Sequence, residues 1–332
     1  MSRIMVFDLP ADRGGALTIL HQYYEMAIRD LENEYIFVLS TPKLVETTNV
    51  KVLNFPWVKK SWTHRIYFDQ FIAHKLIKKY HVTEILSLQN VTIKKTKLKQ
   101  TVYLHQPLPF VEKKFKMSES LLFWTYQNII SRVILKSIKK ADKVIVQTQW
   151  MKNACLKSMK KDPHLIEVIL PQVNINVNNK YQKNNVNERI FFYPASGIDY
   201  KNHILILDAI KKIDLTKYDF KVIFTLNGNE SKNIQLIYEE THANHLPIEF
   251  IGSLSKEEVY DYYSKSVLIF PSYIETFGLP LLEAKLHESP ILASNTAFSH
   301  EILDDYENVL FFDPYNALAL SEAMTKVMNS NW

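Results

Sequence analysis

The sequence predicts an α/β protein made of two doubly wound, parallel-sheet, Rossmann-like domains. Three observations carry that expectation. Short β-branched and apolar runs alternate with helix-period segments along most of the 332 residues, a pattern that gives parallel sheets with helices on both faces. Two such series are separated by QVNINVNNKYQKNNVNE (172–188), rich in Asn and poor in apolar side chains, as a linker would be. The chain is also long for one hydrophobic core. The expected division is a first domain over 1–172, a linker over 173–188 and a second domain over 189–332.

In the first half, IMVF (4–7), YIFVLS (35–40), EILSL (84–88), TVYL (101–104) and KVIVQ (143–147) read as strands. Between them, 15–30 and 64–80 carry apolar residues at helical spacing. In the second half RIFFYP, FKVIFTL, IEFIG, SVLIFP and PILAS repeat the pattern, each followed by a helix candidate. No internal repeat is visible.

Composition bounds the function. An apolar fraction of 47% with 23% charged residues is that of a globular protein. Cys155 is the single cysteine, so no disulfide framework exists and a cytoplasmic location is expected. No apolar run reaches the ~18–20 residues of a spanning helix, and MSRIMVFDLP reads as a first strand, not a signal peptide. The net charge of +5 conceals an asymmetry. Residues 1–172 hold 27 Lys+Arg against 14 Asp+Glu, +13, while the rest hold 13 against 21, −8. A basic first half facing something anionic is one reading, and drifted solvated surface is the other.

All six glycines, Gly14, Gly15, Gly197, Gly228, Gly252 and Gly278, fall after a predicted strand or before a helix. Loops at the carboxyl ends of parallel strands are where such sheets bind ligands, and glycine there permits close backbone approach or a tight turn. GxGxxG is absent, so a nicotinamide or flavin fingerprint is not supported. Metal dependence is not expected: no Asp-x-Asp occurs, and the eleven histidines show no HExxH or comparable spacing.

The most informative stretch is PSYIETFGLPLLEAK (271–285). SVLIFPS reads as a buried strand, YIETFG as a loop, and LPLLEAKLHE as a helix that Pro280 suits at its first turn. Glu275 thus lies in the loop, and Glu283 is expected within the first helical turn, where the dipole favours an acid. A strand, an exposed Gly278 and a helix start offer free amides to phosphate oxygens. Two carboxylates would repel phosphate but accept hydrogen bonds from hydroxyls. Together these point to a nucleotide sugar, with ribose at one acid, hexose at the other and diphosphate between.

FPSYIETFGLPLLEA closely resembles the signature of the retaining glycosyltransferases of family four, in which two glutamates flank seven residues containing Phe-Gly-Leu-Pro. The approach GSLSKEEVYDYYSKSVLIFPS (252–272), the following SPILASNTAFSHEIL (289–303) and LFFDP (310–314), and YPASGIDYKNH (193–203) extend the resemblance. It implies the GT-B architecture, two Rossmann-like domains facing a cleft, and a metal-independent, retaining transfer of hexose from a nucleotide-diphosphate sugar such as a UDP-sugar, with no further cofactor. It implies that Glu283 binds the donor ribose and that Glu275 lies by the donor sugar. Amides around Thr276, Phe277, Gly278 and Leu279 would contact its hydroxyls, and Lys201, ahead of a helix start, would neutralise the departing diphosphate. Gly252 and Ser196 join the donor-binding set. One departure stands out: many members carry an Arg several residues before that Lys, where this chain has Ala195 and Ser196.

In the first half, DLPADRGGALTIL (8–20) resembles the family's N-terminal loop, with Gly14 and Gly15, and Arg13 as an extra, near donor phosphate and acceptor. TVYLHQPLPF (101–110) resembles the strand end carrying the active-site His, so His105 is assigned to positioning sugar and acceptor. KKTKLK (94–99), KKFK (113–116) and LLFWTYQNIISRVILKSIKK (121–140) form basic, aromatic-bearing segments. They fit either an anionic membrane surface or a core helix with a solvated basic face. Relatives that build envelope polysaccharides imply a saccharide or polyprenyl-linked acceptor and a peripheral site on the cytoplasmic membrane face.

Other readings stay open: a glycoside hydrolase using Glu275 and Glu283, a nucleotide-sugar epimerase, and a catalytically inactive relative acting as a binding protein. Nucleic acid is not an expected partner, since no helix-turn-helix or RNA-binding pattern occurs.

Overall fold

A computed structural model describes residues 1–12, 14–158, 162–171, 175 and 177–329. Arg13, Gln172 and residues 173, 174 and 176 of the expected linker lie outside the described residues. The chain divides into two compact units, Met1–Gln172 and Val173–Trp332.

In the first unit the strands are β1 (Arg3–Asp8), β2 (Glu34–Leu39), β3 (Val50–Asn54), β4 (Glu84–Ser87), β5 (Lys99–Leu104), β6 (Lys143–Val146) and β7 (Ile166–Val168). Among the described residues they form one sheet of order β3-β2-β1-β4-β5-β6-β7, with every pairing parallel. Its helices are α1 (Gly14–Arg29), α2 (Trp62–Tyr67), α3 (Ala73–Lys79), α4 (Leu121–Thr125), α5 (Ser131–Lys140) and α6 (Gln149–Ser158). The two faces bury separate clusters. Phe7, Val38, Phe68 and Ile77 pack on one side, and Val6, Phe37, Leu20 and Tyr103 on the other. Alternate residues of β1 and β2 thus serve opposite faces, as a pleated strand covered on both sides requires.

The periodic segment 64–80 is not one regular helix. A five-residue π turn, Phe68–Ile72, joins α2 to α3, and Tyr126–Ile130 joins α4 to α5 in the same way. β3 and β7, both on sheet edges, were not expected. VKVLN mixes polar and apolar residues, and only its first residue is buried, as suits a strand on a sheet edge.

The second unit contains β8 (Ile190–Tyr193), β9 (Lys221–Phe224), β10 (Ile248–Phe250), β11 (Val267–Phe270), β12 (Ile291–Ser294) and β13 (Val309–Phe312). Their order is β10-β9-β8-β11-β12-β13, all parallel. Its helices are α7 (His203–Ile210), α8 (Lys232–Ala243), α9 (Lys256–Lys265), α10 (Leu279–Leu286), α11 (Ala297–Leu303) and α12 (Ala317–Met328). β11 and β12 are buried along their whole length, which is why SVLIFP and PILAS are continuous apolar runs.

In each sheet the chain starts in the middle, winds outward on one side, then returns to wind outward on the other. The reversal falls between β1 and β4 in the first sheet and between β8 and β11 in the second. At such a switch point the loops leaving adjacent strands part in opposite directions and open a crevice at the carboxyl edge.

Candidate functional site

Lys201 and Glu275 meet at the switch point of the second sheet. Lys201 follows β8 in the turn Asp199–Lys201, and Glu275 lies in the loop after β11. The Lys201 ammonium is in direct contact with Glu275 Oε1, and Ser272 Oγ donates to the same oxygen at 2.9 Å. Glu275 Oε2 takes no part in either contact. Both charged side chains keep about a sixth of their surface, 17% and 16%, so the pair is sheltered yet reachable.

The backbone around this pair is fixed from several directions. Tyr193 OH donates to the Lys201 carbonyl at 2.7 Å. Asn202, buried and left-handed at φ 64, donates through Nδ2 to the carbonyls of Pro271 (3.3 Å) and Pro314 (2.7 Å). The Tyr273 amide donates to the Tyr200 carbonyl at 3.3 Å. The loop after β8 is thereby stapled to the loop after β11. Asn suits this position because it tolerates αL while its amide reaches neighbouring carbonyls.

Thr276, Phe277, Gly278 and Leu279 lead from Glu275 into α10. Gly278 takes φ 91 and ψ 60 as the N-cap, and no side chain caps the helix. Gly278, expected to be exposed, is buried; Pro280 has no N–H and the Leu281 amide donates to the Gly278 carbonyl at 2.9 Å, so of the first turn only the Leu279 amide is left for a ligand oxygen. A Cβ at Gly278 would adopt a strained φ and approach Leu281 Cδ1 to 3.2 Å, which accounts for glycine there.

Glu283 requires a correction. It is not in the first turn of its helix but the fifth residue of α10, whose first turn holds no acid. Helix geometry turns its carboxylate toward α9, where Tyr263 OH donates to Oε2 at 3.2 Å. Burial pushes its carboxyl up to about 7, against the smaller pull of the Tyr263 hydroxyl and Lys256. The two glutamates thus have different surroundings, one an ion pair and one a poorly solvated acid beside a phenol.

Two further candidates of the second unit lie on its strand-end loops. Ser196 is exposed in the loop after β8. Gly252, at φ 75, packs 3.0 Å from Asn227 Oδ1 as judged from an added Cβ, beyond β10 and three strands from β11. In the first unit Gly14, at φ 59, and Gly15 open α1 with nothing within 4 Å of an added Cβ. His105 follows β5. Its amide donates to Asn90 Oδ1 at 2.8 Å, its Nδ1 is buried without a partner, and burial pushes the imidazole down to about 4, leaving it neutral.

Ser272, Tyr263 and Asn202 were missed by sequence reasoning. Ser272 had a signal, being a hydroxyl just past a strand end. Tyr263 and Asn202 had none, because their roles depend on which helix and loop lie beside them.

The profile of the family described as "Glycosyl transferases group 1" matches residues 175–331, the unit that holds Lys201, Glu275 and Glu283. This unit matches the group 1 glycosyltransferases. Among similar curated proteins, "Uncharacterized glycosyltransferase MJ1178" of Methanocaldococcus jannaschii is 28% identical over 194 residues, 57% of this chain and 50% of that protein. The chain therefore aligns with only half the length of that relative. "O-antigen chain mannosyltransferase RfbU" of Salmonella typhimurium is 22% identical over 87% of this chain and 76% of that protein.

Two solved structures share the fold of this chain. The sucrose-phosphate synthase of Thermosynechococcus elongatus aligns with TM-score 0.74 at 16% identity, covering 100% of this chain and 90% of the other. Anabaena Alr3699/HepE in complex with UDP-glucose aligns with TM-score 0.68 at 14% identity, covering 99% and 90%. The architecture is GT-B, with the seven- and six-stranded parallel sheets as its two Rossmann-like parts.

Proposed function

We propose that this chain is a retaining, metal-independent hexosyltransferase. It moves a hexose from a nucleoside-diphosphate sugar to a saccharide or polyprenyl-linked saccharide acceptor in the assembly of a surface polysaccharide such as O-antigen or capsule. The observation that carries the reading is the Lys201–Glu275 contact at the switch point of the second sheet.

Lys201 is placed to take up the charge of the leaving diphosphate, and its contact with Glu275 keeps it oriented before substrate arrives. Glu275 Oε2 accepts a hydrogen bond from a hexose hydroxyl, alongside amides from Thr276 to Leu279. Glu283 accepts the ribose hydroxyls, and Gly252 with Ser196 border the nucleotide. Gly14 and Gly15 let the first unit's backbone approach phosphate and acceptor, and neutral His105 orients the hexose. UDP is the favoured carrier, because the similarly folded HepE was solved in complex with UDP-glucose. The polysaccharide setting follows the name of RfbU. A glycoside hydrolase would use Glu275 and Glu283 as a pair, whereas here they turn to different partners, Lys201 and Tyr263.

UDP at 100 times its Kd should stabilise the protein by about 2.7 kcal/mol and raise its Tm, and UDP-glucose should be slowly hydrolysed to UDP. A protein that ignores UDP in both assays does not have this function.

A peripheral position on an anionic membrane face, on the cytoplasmic side, is part of the proposal. Trp62, Ile66, Tyr67 and Phe71 are more than half or about half exposed, as are Leu121, Leu122 and Ile129. The ring contact of Trp62 with Tyr126, 6.5 Å between centroids, joins these two apolar stripes. The outer face of α5 adds exposed Arg132, Lys136, Lys139 and Lys140, each worth about 1 kcal/mol near anionic lipid. The protein should sediment with vesicles containing phosphatidylglycerol and be released by 0.5 M salt, while vesicles of phosphatidylcholine alone should not retain it. Equal binding to both would remove the membrane part.

A further inference from the structure

Two residues past Lys201, His203 opens α7 with its side chain shut away from solvent. It is 3% exposed, its ring centroid 4.7 Å from that of Tyr193 and 5.0 Å from that of Phe224. Its Nε2 is buried and has no hydrogen-bond partner among the described residues. An apolar ring would fill such a place without a polar atom in it, and an orphaned buried nitrogen costs about 1–3 kcal/mol. A buried polar atom of this kind is normally satisfied by something.

His203 lines a small cavity together with Asp199, Asn233, Gly197 and Ile234. Its volume is about 10 Å³, which holds one water molecule and nothing larger. The walls are drawn tightly together. A Cβ on Gly197 would come within 2.8 Å of Glu230 Cβ and 2.9 Å of Ile234 Cγ1, so only glycine lets the loop after β8 lie this close to α8. Asn233 Nδ2, on α8, donates to Asp199 Oδ1 at 2.9 Å, and a carboxylate with that bond made still has lone pairs to offer. Burial holds the His203 imidazole down to about 3, and the charge of Lys201 pushes the same way. The ring is therefore neutral, and it can donate a hydrogen bond without placing a second positive charge beside Lys201.

We propose that this cavity is a one-water site and that His203, acting through the water, is a positioning residue for Lys201. Nε2–H donates to the water, and the water donates to the Asp199 carboxylate that Asn233 holds from α8. The turn Asp199–Lys201 is then tied to α7 and α8, in addition to the bond from Tyr193 OH to the Lys201 carbonyl. A turn fixed in this way keeps the lysine backbone in place while its long side chain exchanges Glu275 for a diphosphate. Misplacing a reacting group by about 1 Å can cost about 10²-fold in rate, so the anchoring matters to turnover. The positioning role rests on the function proposed above for Lys201, whereas the water site stands apart from it.

A crystal structure of the unliganded protein should show one ordered water within hydrogen-bond distance of both His203 Nε2 and the Asp199 carboxylate. His203→Phe keeps the ring and removes the donor, and hydrolysis of UDP-glucose should fall at least about tenfold. His203→Gln, which returns an amide near the place of Nε2, should recover most of that loss. Asn233→Ala, at an exposed residue of α8, leaves the core untouched and should give a smaller loss in the same direction. In a Lys201→Ala background His203→Phe should cost nothing further, because no ammonium is left to place. A dry cavity in the crystal overturns the site and the role together. A Gln variant as slow as the Phe variant, or a Phe effect that persists undiminished without Lys201, overturns the positioning role. If the wild type neither binds nor hydrolyses UDP-glucose, the donor reading falls and takes the positioning role with it, and the crystallographic water alone decides the site.

Discussion

Glu275→Gln should yield a folded protein that transfers hexose about 10²–10³-fold more slowly, the loss typical when one preorganised electrostatic group is removed from a reacting centre. Gln keeps the shape of the side chain and can still accept from Ser272 and from Lys201. What disappears is the negative charge. Lys201 is then left sheltered without its counter-ion, so the free variant should melt at a lower temperature than the wild type. UDP would replace the missing charge with its own diphosphate. The nucleotide should therefore bind the variant at least as tightly as the wild type even though transfer is nearly lost. That split, strong binding without turnover, separates the proposed role from general damage to the site. Normal transfer by Glu275→Gln would contradict it.

Glu283→Gln should act in the opposite sense on stability. An unfolded Glu loses its proton near 4.5, whereas burial holds the folded carboxyl at about 7. Between those values the folded state binds more protons than the unfolded state, so stability falls as pH rises from about 4.5 to 7 and then levels off. The variant lacks this loss. It should have a higher Tm than the wild type at pH 8 and a similar one at pH 4.5. Nucleotide binding should suffer in exchange. Hydrogen bonds from ribose hydroxyls to a charged acceptor contribute about 1.5–3 kcal/mol, so UDP affinity at pH 8 should drop by roughly 10- to 100-fold. At pH 6 the wild-type carboxyl is mostly protonated and the gap should narrow. Calorimetry at the two pH values, alongside melting curves, measures both halves. A variant that binds UDP normally at pH 8 would remove Glu283 from the ribose site.

Much of this was legible in the chain because parallel strands buried on both faces must be continuous apolar runs. VLIF and ILAS are buried at every residue. Pro280 and Gly278 likewise marked a strand-to-helix junction, and α10 begins at Leu279 as that punctuation requires. Glu283 was expected in the first turn of its helix and is the fifth residue of α10, beside Tyr263. The π turns at Phe68–Ile72 and Tyr126–Ile130 carry no Gly or Pro to announce them.

The contact between Lys201 and Glu275 was not readable from sequence order. They are 74 residues apart, and two strands, β9 and β10, intervene in the chain. Only the return of β11 to pair with β8 brings their loops together.

A crystal structure of the complex with UDP-glucose tests the central claim most directly. The account predicts the diphosphate against Lys201, the hexose over residues 275–279 and the ribose hydroxyls on Glu283. A nucleotide bound elsewhere, with the Lys201–Glu275 contact undisturbed and no hydroxyl near either glutamate, would contradict it.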